Sequence, residues 1–126
     1  MGLWIWMLIV DLLIPLTELG FGTLFLRRAP KNINFIFGYR TALSMKNRST
    51  WSFAHRMIGR LWLTLGGVLL PLSPVPLLFC LRSDERAIAL AGAIVAVVQI
   101  LLLILSVIPV EIALHRTFDQ NGIRRS

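Results

Sequence analysis

The sequence predicts an all-α integral membrane protein with three transmembrane helices and an ordered amphipathic loop between the first two. Of its 126 residues, 56% are hydrophobic, whereas soluble domains reach about 45–50% even with glycine counted. Three apolar stretches are as long as the roughly 20 residues that a helix needs to cross a bilayer. Each stretch is continuous, unlike the short alternating strands of a membrane β-barrel.

The predicted spans are residues 3–26, 57–81 and 87–114, which together form a single membrane domain. Residues 27–56 form the loop, and residues 115–126 form the tail. An odd number of spans puts the two termini on opposite sides of the membrane.

The distribution of basic residues predicts the orientation. Eight of the thirteen Lys and Arg residues, and no acidic residue, lie between Arg27 and Arg60. Because cytoplasmic loops accumulate Lys and Arg, we expect the loop and the C-terminus inside and the N-terminus outside. This topology also accounts for the net charge of +7, so we expect no nucleic acid as a partner.

The first span contains two acidic residues, Asp11 and Glu18. They are seven residues apart, which places them on one helical face with about 10 Å between them along the axis. A carboxylate near the bilayer centre costs about 2.5–3.5 kcal/mol, so such a residue normally faces protein or water and marks a function or a buried pair.

The loop mixes basic residues with aromatic and small polar ones, a composition unlike that of a disordered basic tail. Gly38 permits a sharp turn, after which Tyr39 and Arg40 follow at once. Ser49 or Thr50 is predicted to cap the second helix. The loop is therefore expected to be ordered and to lie at the membrane face.

Irregularities are expected in the second and third spans. Pro71, Pro74 and Pro76 lie in the outer part of the second span, where each removes a backbone donor and predicts that the helix kinks or ends early. In the third span, small residues recur at spacings of three and four and would let another helix approach, within one monomer or across a dimer interface. These residues are Ala89, Gly92, Ala93 and Ala96.

The charged residues near the inner face predict an intramembrane ion cluster. Glu18 and Glu111 lie at similar depths, and Arg56 and Arg60 share a helical face at the four-residue spacing. Together with Asp11, these four residues form the predicted cluster. It either holds three helices in register or lines a polar cavity that binds a headgroup or moves protons.

Nothing in the sequence indicates catalysis. It shows no nucleophile and base at a recognisable spacing, no cluster of metal ligands and no glycine-rich phosphate loop. We therefore expect a protein that is not an enzyme and has no metal site and no cofactor. Cys80 is the only cysteine, which excludes an intrachain disulfide.

The loop and the tail carry a recognisable pattern. The loop pattern consists of Asn34, Gly38, Tyr39, Arg40, Thr41, Ser44, Met45, Asn47, Trp51, Phe53, Ala54, His55 and Gly59. It resembles the signature of the SdpI family of small bacterial membrane proteins. A second block is similar to the ending of that family: Glu111, Leu114, Thr117, Phe118, Asp119, Asn121 and Gly122. The resemblance begins at Pro30, and this chain is a short version that corresponds to the region shared with a longer prototype.

The resemblance implies a bacterial plasma membrane location and a role in toxin resistance. The prototype of the family is an immunity protein that protects a spore-forming bacterium from its own secreted antimicrobial peptide, and it also holds a repressor protein at the membrane. We therefore predict a non-enzymatic immunity protein that binds a membrane-active peptide, a lipid headgroup or a partner protein at its inner face. The candidate binding residues are Asn34, Gly38, Tyr39, Arg40, Thr41, Ser44, Asn47, Trp51 and His55.

Several alternatives stay open. Arg40 either binds a phosphate or carboxylate or is architectural, pairing with Glu111 or capping loop carbonyls. A lone His55 is more typical of a packing or interfacial histidine than of a ligand-binding one. Asp11 and Glu18 also suit a small oligomeric transporter or proton-coupled carrier. A third possibility is a structural subunit of a larger complex. The expected partners are thus the lipid bilayer and, as open options, an antimicrobial peptide, a repressor protein or a second copy of the chain.

Overall fold

The protein is all-helical in a computed structural model that describes residues 2–28, 33 and 38–125. Within those residues the helices are α1 (Gly2–Arg28), α2 (Arg48–Leu72), α3 (Pro74–Phe79), α4 (Glu85–Leu105) and α5 (Val107–Thr117). Three segments are long and apolar enough to cross a membrane: α1, α2 with α3, and α4 with α5. The predicted fold class is confirmed. The first and third segments extend beyond the predicted spans at both ends, whereas the second begins nine residues before the predicted span and ends two residues before its predicted end.

Two of the three spans are interrupted. The second span breaks at Ser73, between Pro71 in the last turn of α2 and Pro74 at the start of α3, in the region where the sequence predicted a kink or an early end. The third span breaks at Ser106, which was not predicted. Pro109 lies in the first turn of α5 and explains this second break, because it has no N–H to continue the hydrogen bonds of α4.

The closest approach between helices is that of α1 and α2. A Cβ atom added to Gly22 would lie 2.9 Å from the carbonyl oxygen of Gly59, and a Cβ atom on Gly59 would lie 2.9 Å from that of Gly22. Only glycine allows two backbones to come this near. The small-residue stripe predicted in α4 is only partly buried, since Gly92 packs against α1 whereas Ala93 is exposed.

The largest buried cluster lies at one end of the bundle. It joins the end of α1, the loop, the first half of α2, α5 and the segment after α5, and we call this region the loop end. Its buried members are Phe25, Tyr39, Leu43, Ala54, Ile58, Val110, Leu114 and Phe118. Away from this end many large apolar side chains are exposed, as suits helices that face lipid.

Candidate functional site

The loop turns sharply at Gly38 and is pressed against α2 there. Gly38 has a φ of 114°, a region that favours glycine. A Cβ atom at this position would lie 2.6 Å from Nε2 of His55 and 3.2 Å from the ring of Trp51. Both the conformation and the close contact therefore require glycine at the turn.

His55 holds the turn in place with both nitrogens of its ring. The side chain is completely buried. The backbone N–H of Tyr39 donates to Nε2 at 3.0 Å, and Nδ1 lies 2.8 Å from the carbonyl oxygen of Trp51. Because a carbonyl only accepts, Nδ1 carries the proton and the ring is neutral. His55 is thus a packing histidine with both ring nitrogens paired.

Tyr39 joins the loop to α5. Its hydroxyl group donates to Oε1 of Glu111 at 2.8 Å, and Nε2 of His115 lies 3.6 Å from the other carboxylate oxygen. Burial of the phenol raises the pKa of Tyr39, and the hydrogen bond to Glu111 and the negative charge of that carboxylate raise the pKa further. Tyr39 therefore stays protonated and remains a donor.

Short polar side chains hold residues 41–47 of the loop in place through hydrogen bonds. The hydroxyl group of Ser44 accepts from the backbone N–H of Thr41 at 2.8 Å, and the hydroxyl group of Thr41 accepts from the N–H of Ser44 at 3.3 Å. Asn47, not Ser49 or Thr50, is the N-cap of α2. Its Oδ1 accepts from the N–H of Thr50, whose hydroxyl group accepts from the N–H of Asn47 in return, which completes a capping box.

The segment after α5 folds back onto the loop. Phe118 pairs with Arg124 in an isolated antiparallel bridge, and its buried ring meets that of Phe53 with 5.5 Å between centroids. Nδ2 of Asn47 donates to the carbonyl oxygen of Gly122 at 2.7 Å. A single Asn side chain thus caps α2 and fastens the tail.

The predicted ion cluster is not assembled among the residues that the structure describes. Both carboxylate oxygens of Glu18 lack a hydrogen-bond partner, and Arg56 and Arg60 are exposed and form no salt bridge with Glu18 or Glu111. The physical reason lies in the register of α2. His55 and Gly59 face the bundle, so the residues that follow them are rotated by about 100° to the outside.

Asp11 is buried at a different position along α1. Its carboxylate also lacks a hydrogen-bond partner among the described residues. Its backbone oxygen accepts from Nε2 of Gln99 at 2.7 Å, and the same amide donates to the hydroxyl group of Ser73 at 2.6 Å. This contact links α1, the break between α2 and α3, and α4. A lone Gln in the apolar run of α4 was the available signal.

The remaining candidate binding residues differ in how deeply they are buried. The candidate binding residues Trp51 and Tyr39 are both buried in the bundle. Arg40 is exposed next to Tyr39. Asn34 lies outside the described residues. Among the described residues, no group of three His, Cys, Asp or Glu side chains is placed to hold a metal ion.

A polar cavity of about 410 Å³ opens on the outside of the loop end, and we call it the basic groove. Its walls include Arg48, Ser49, Ser52, Arg56 and Arg124. The guanidinium group of Arg124 lies 5.7 Å from the centroid of the Phe118 ring. None of the described residues that line the groove is acidic, so the groove is suited to an anionic group. Sequence reasoning missed it because it combines the start of α2 with the folded tail.

Comparison with known protein families matches residues 31–110 to the SdpI/YfhL protein family. The matched residues run from the loop through α2, α3 and α4 into α5, and α1 and the folded tail lie outside them. No match was found among curated proteins or among solved structures. The match covers more than half of the chain and confirms the resemblance that the loop pattern indicated. The chain is therefore a multi-pass membrane protein that belongs to the SdpI/YfhL protein family.

Proposed function

We propose that the protein is a non-enzymatic immunity protein of the bacterial plasma membrane, which acts by binding an anionic group in the basic groove. Membership of the SdpI/YfhL family supports the immunity role. The basic groove is the observation that carries the binding role. The positive-inside rule puts the groove at the cytoplasmic face, next to the headgroups of the inner leaflet.

The chemistry of the groove favours phosphate or carboxylate. Arg56 and Arg124 each supply a planar guanidinium group, which binds either anion through two parallel hydrogen bonds. The hydroxyl groups of Ser49 and Ser52 add neutral donors on the same helix. Such a site accepts the phosphate of a lipid headgroup, or a carboxylate of a peptide or of a partner protein.

A loop that is held firmly in place supports binding at this end. Tyr39 donates to Glu111 of α5, Ser44 donates to the backbone oxygen of Tyr39, and Asn47 donates to Gly122 of the tail. A rigid wall lowers the conformational entropy that the protein loses when a ligand binds. In this proposal the loop residues position the groove, and the arginines contact the ligand.

A growth assay tests the immunity role. Bacteria that express the chain are challenged with a panel of secreted membrane-active peptides, and survival is compared between wild type and the double variant Arg56→Gln with Arg124→Gln. We expect wild type to protect against at least one peptide and the double variant to lose that protection. Arg60→Gln with Arg116→Gln, which removes the same charge outside the groove, is the matched control. Absence of protection by wild type present in the membrane would refute the immunity role.

A binding assay tests the groove separately. Short-chain phosphatidylglycerol, phosphatidylcholine and inorganic phosphate are titrated into the purified protein. We expect phosphatidylglycerol to bind the groove double variant about tenfold more weakly than it binds wild type. Binding of inorganic phosphate would show that the anion alone suffices. Equal binding of phosphatidylglycerol to wild type and to the groove double variant would rule out an anionic lipid as the ligand.

A proton-coupled carrier is the second candidate, favoured by one observation. Asp11 and Glu18 are buried on α1 without a hydrogen-bond partner among the described residues, as are many proton-relay carboxylates in membranes. Uptake of radiolabelled solutes into proteoliposomes under a pH gradient tests it. The carrier hypothesis requires a flux that Glu18→Gln abolishes, and it fails if correctly reconstituted wild type moves no solute.

A further inference from the structure

A second cavity, of about 350 Å³, lies beside Glu18 in the membrane-spanning part of the bundle. Side chains of α1, α2 and α4 form its walls, and Gly38 of the loop closes one end. Leu13 and Thr17, which line it, are exposed on α1, so the cavity reaches the lipid-facing surface. Glu18 lies outside the residues that match the family.

Glu18 brings an unpaired acceptor to this cavity. The residue is 1% exposed, and neither carboxylate oxygen has a hydrogen-bond partner among the described residues. Among the described residues of the wall, the other two polar side chains already have hydrogen-bond partners. Thr17 donates to the carbonyl oxygen of Leu13, and Trp62 donates to the hydroxyl group of Ser106. Because a buried carboxylate without donors is costly, a donor on a group that enters the cavity would stabilise Glu18.

The remainder of the wall is apolar and rich in aromatic rings. The centroids of Phe21 and Phe25 are 5.8 Å apart, and those of Phe25 and Trp62 are also 5.8 Å apart. Aromatic faces attract organic cations as well as apolar groups. Among the described residues no Lys or Arg lines the cavity, so none of their positive charges opposes the entry of a cation.

We propose that this cavity binds an amphiphilic organic ammonium ion, whose N–H groups donate to Glu18 and whose apolar body lies against Phe21, Phe25 and Trp62. The volume is within the range of about 300–1,000 Å³ that is usual for small-molecule sites. The carboxylate supplies the charge complement and the rings supply the contact area. This inference does not depend on the proposed function, because it concerns a different cavity and a ligand of opposite charge.

The test uses a matched pair of probes, phenylbutylamine and phenylbutanol, which have the same apolar body but differ in charge. Binding to the full-length protein is measured by equilibrium dialysis in nanodiscs of phosphatidylcholine, whose zero net charge limits adsorption of the amine. We expect wild type to bind the amine about tenfold more tightly than the alcohol. Glu18→Gln should remove that preference, and Asp11→Asn, which changes the other buried carboxylate, should keep it.

Three outcomes would overturn the proposal: equal affinity of wild type for both probes, a preference for the amine that survives Glu18→Gln, or loss of the preference in Asp11→Asn as well. If Glu18→Gln does not fold, Leu103→Trp takes its place, because it fills the cavity from α4 and leaves the carboxylate intact. Folded Leu103→Trp should bind both probes more weakly than wild type, and unchanged binding would place the site elsewhere.

Discussion

At the scale of single residues, the loop end is held by side chains that each make more than one contact. The ring of His55 meets Trp51 at 4.4 Å and Phe25 at 5.0 Å between centroids, and both of its nitrogens are hydrogen-bonded. The backbone N–H of Tyr39 donates to His55, and the hydroxyl group of Tyr39 donates to Glu111. The turn at Gly38 is thus fixed from two helices at once.

Replacing His55 by Phe should destabilise the protein. The substitution keeps an aromatic ring but leaves the N–H of Tyr39 without an acceptor, which costs about 1–3 kcal/mol for a buried group. Thermal unfolding in detergent should show a lower midpoint than wild type. His115→Phe, at an exposed position, is the control and should change the midpoint little. An unchanged midpoint in His55→Phe would contradict the role of the ring nitrogens.

The titration of Tyr39 offers a direct check on its surroundings. Tyr39 is the only tyrosine, so phenolate absorbance reports on it alone. Since burial and Glu111 raise its pKa, little phenolate should form at about pH 10, the ordinary value. Glu111→Gln removes a negative charge and should lower the pKa of Tyr39. Ordinary titration of Tyr39 in the folded wild type would contradict the buried hydrogen bond.

The raised pKa of Tyr39 has a consequence for the stability of the protein. The pKa of Tyr39 is higher in the folded protein than in the unfolded chain. The protonated phenol therefore contributes fully to stability below the unfolded pKa, and this contribution is lost as the pH rises through the folded pKa. We therefore expect the free energy of unfolding to fall above about pH 10. Tyr39→Phe should show a smaller fall over that range, measured by denaturant titration at each pH.

At the scale of elements, the spans are shaped by the close packing of two helix backbones and by breaks in the helices at Ser73 and Ser106. α1 and α2 meet at Gly22 and Gly59. At the break, the hydroxyl group of Ser73 accepts from Nε2 of Gln99. Within a membrane such irregular backbone is tolerated where protein covers it, and here α1 and α4 do so.

Enlarging Gly59 should separate α1 from α2. In Gly59→Ala the new Cβ atom would lie 2.9 Å from the backbone oxygen of Gly22, so the helices must shift, at a cost of about 1–3 kcal/mol. Gly67→Ala is the control on the same helix, because a Cβ atom there meets nothing within 4 Å. The measurement is the midpoint of thermal unfolding in detergent. Equal midpoints for the two variants would show that the approach of the helices is not tight.

The elements show what the sequence could and could not predict. Length and apolarity predict the three spans, and the prolines near Ser73 predict the first break. The break at Ser106 was missed because a single Pro109 near a helix end also fits an uninterrupted helix. The ion pairs were misjudged because helical spacing shows which residues share a face but not which face turns inward. Arg56 and Arg60 do share a face, and it is the outer one.

At the scale of the whole molecule, distant parts of the chain meet at the loop end. Asn47 contacts Gly122, and Tyr39 contacts Glu111. The basic groove exists only because the tail lies beside the start of α2. No sequence pattern encodes a contact over such a separation, which explains why the candidate loop residues were identifiable but the groove was not.

Asn47→Asp should loosen the tail without uncapping α2. Aspartate keeps the Oδ1 acceptor for the N–H of Thr50 but lacks the donor to Gly122, so a hydrogen bond worth about 1 kcal/mol is lost. Hydrogen exchange should become faster in residues 118–125 and stay unchanged in the first turns of α2. Asn121→Asp, an exposed change of the same kind, is the control. Faster exchange in α2 alone would contradict the separate roles of the two amide atoms.

The tail contact also sets an order of events during synthesis. A ribosome delivers α1, the loop and α2 to the membrane well before Glu111 and Gly122 exist as peptide. Until those residues emerge, Tyr39 and Asn47 lack their distant partners, and one wall of the groove is missing. An unfinished chain therefore cannot present a completed groove, and only protein translated through Arg124 contains all of the residues that line it.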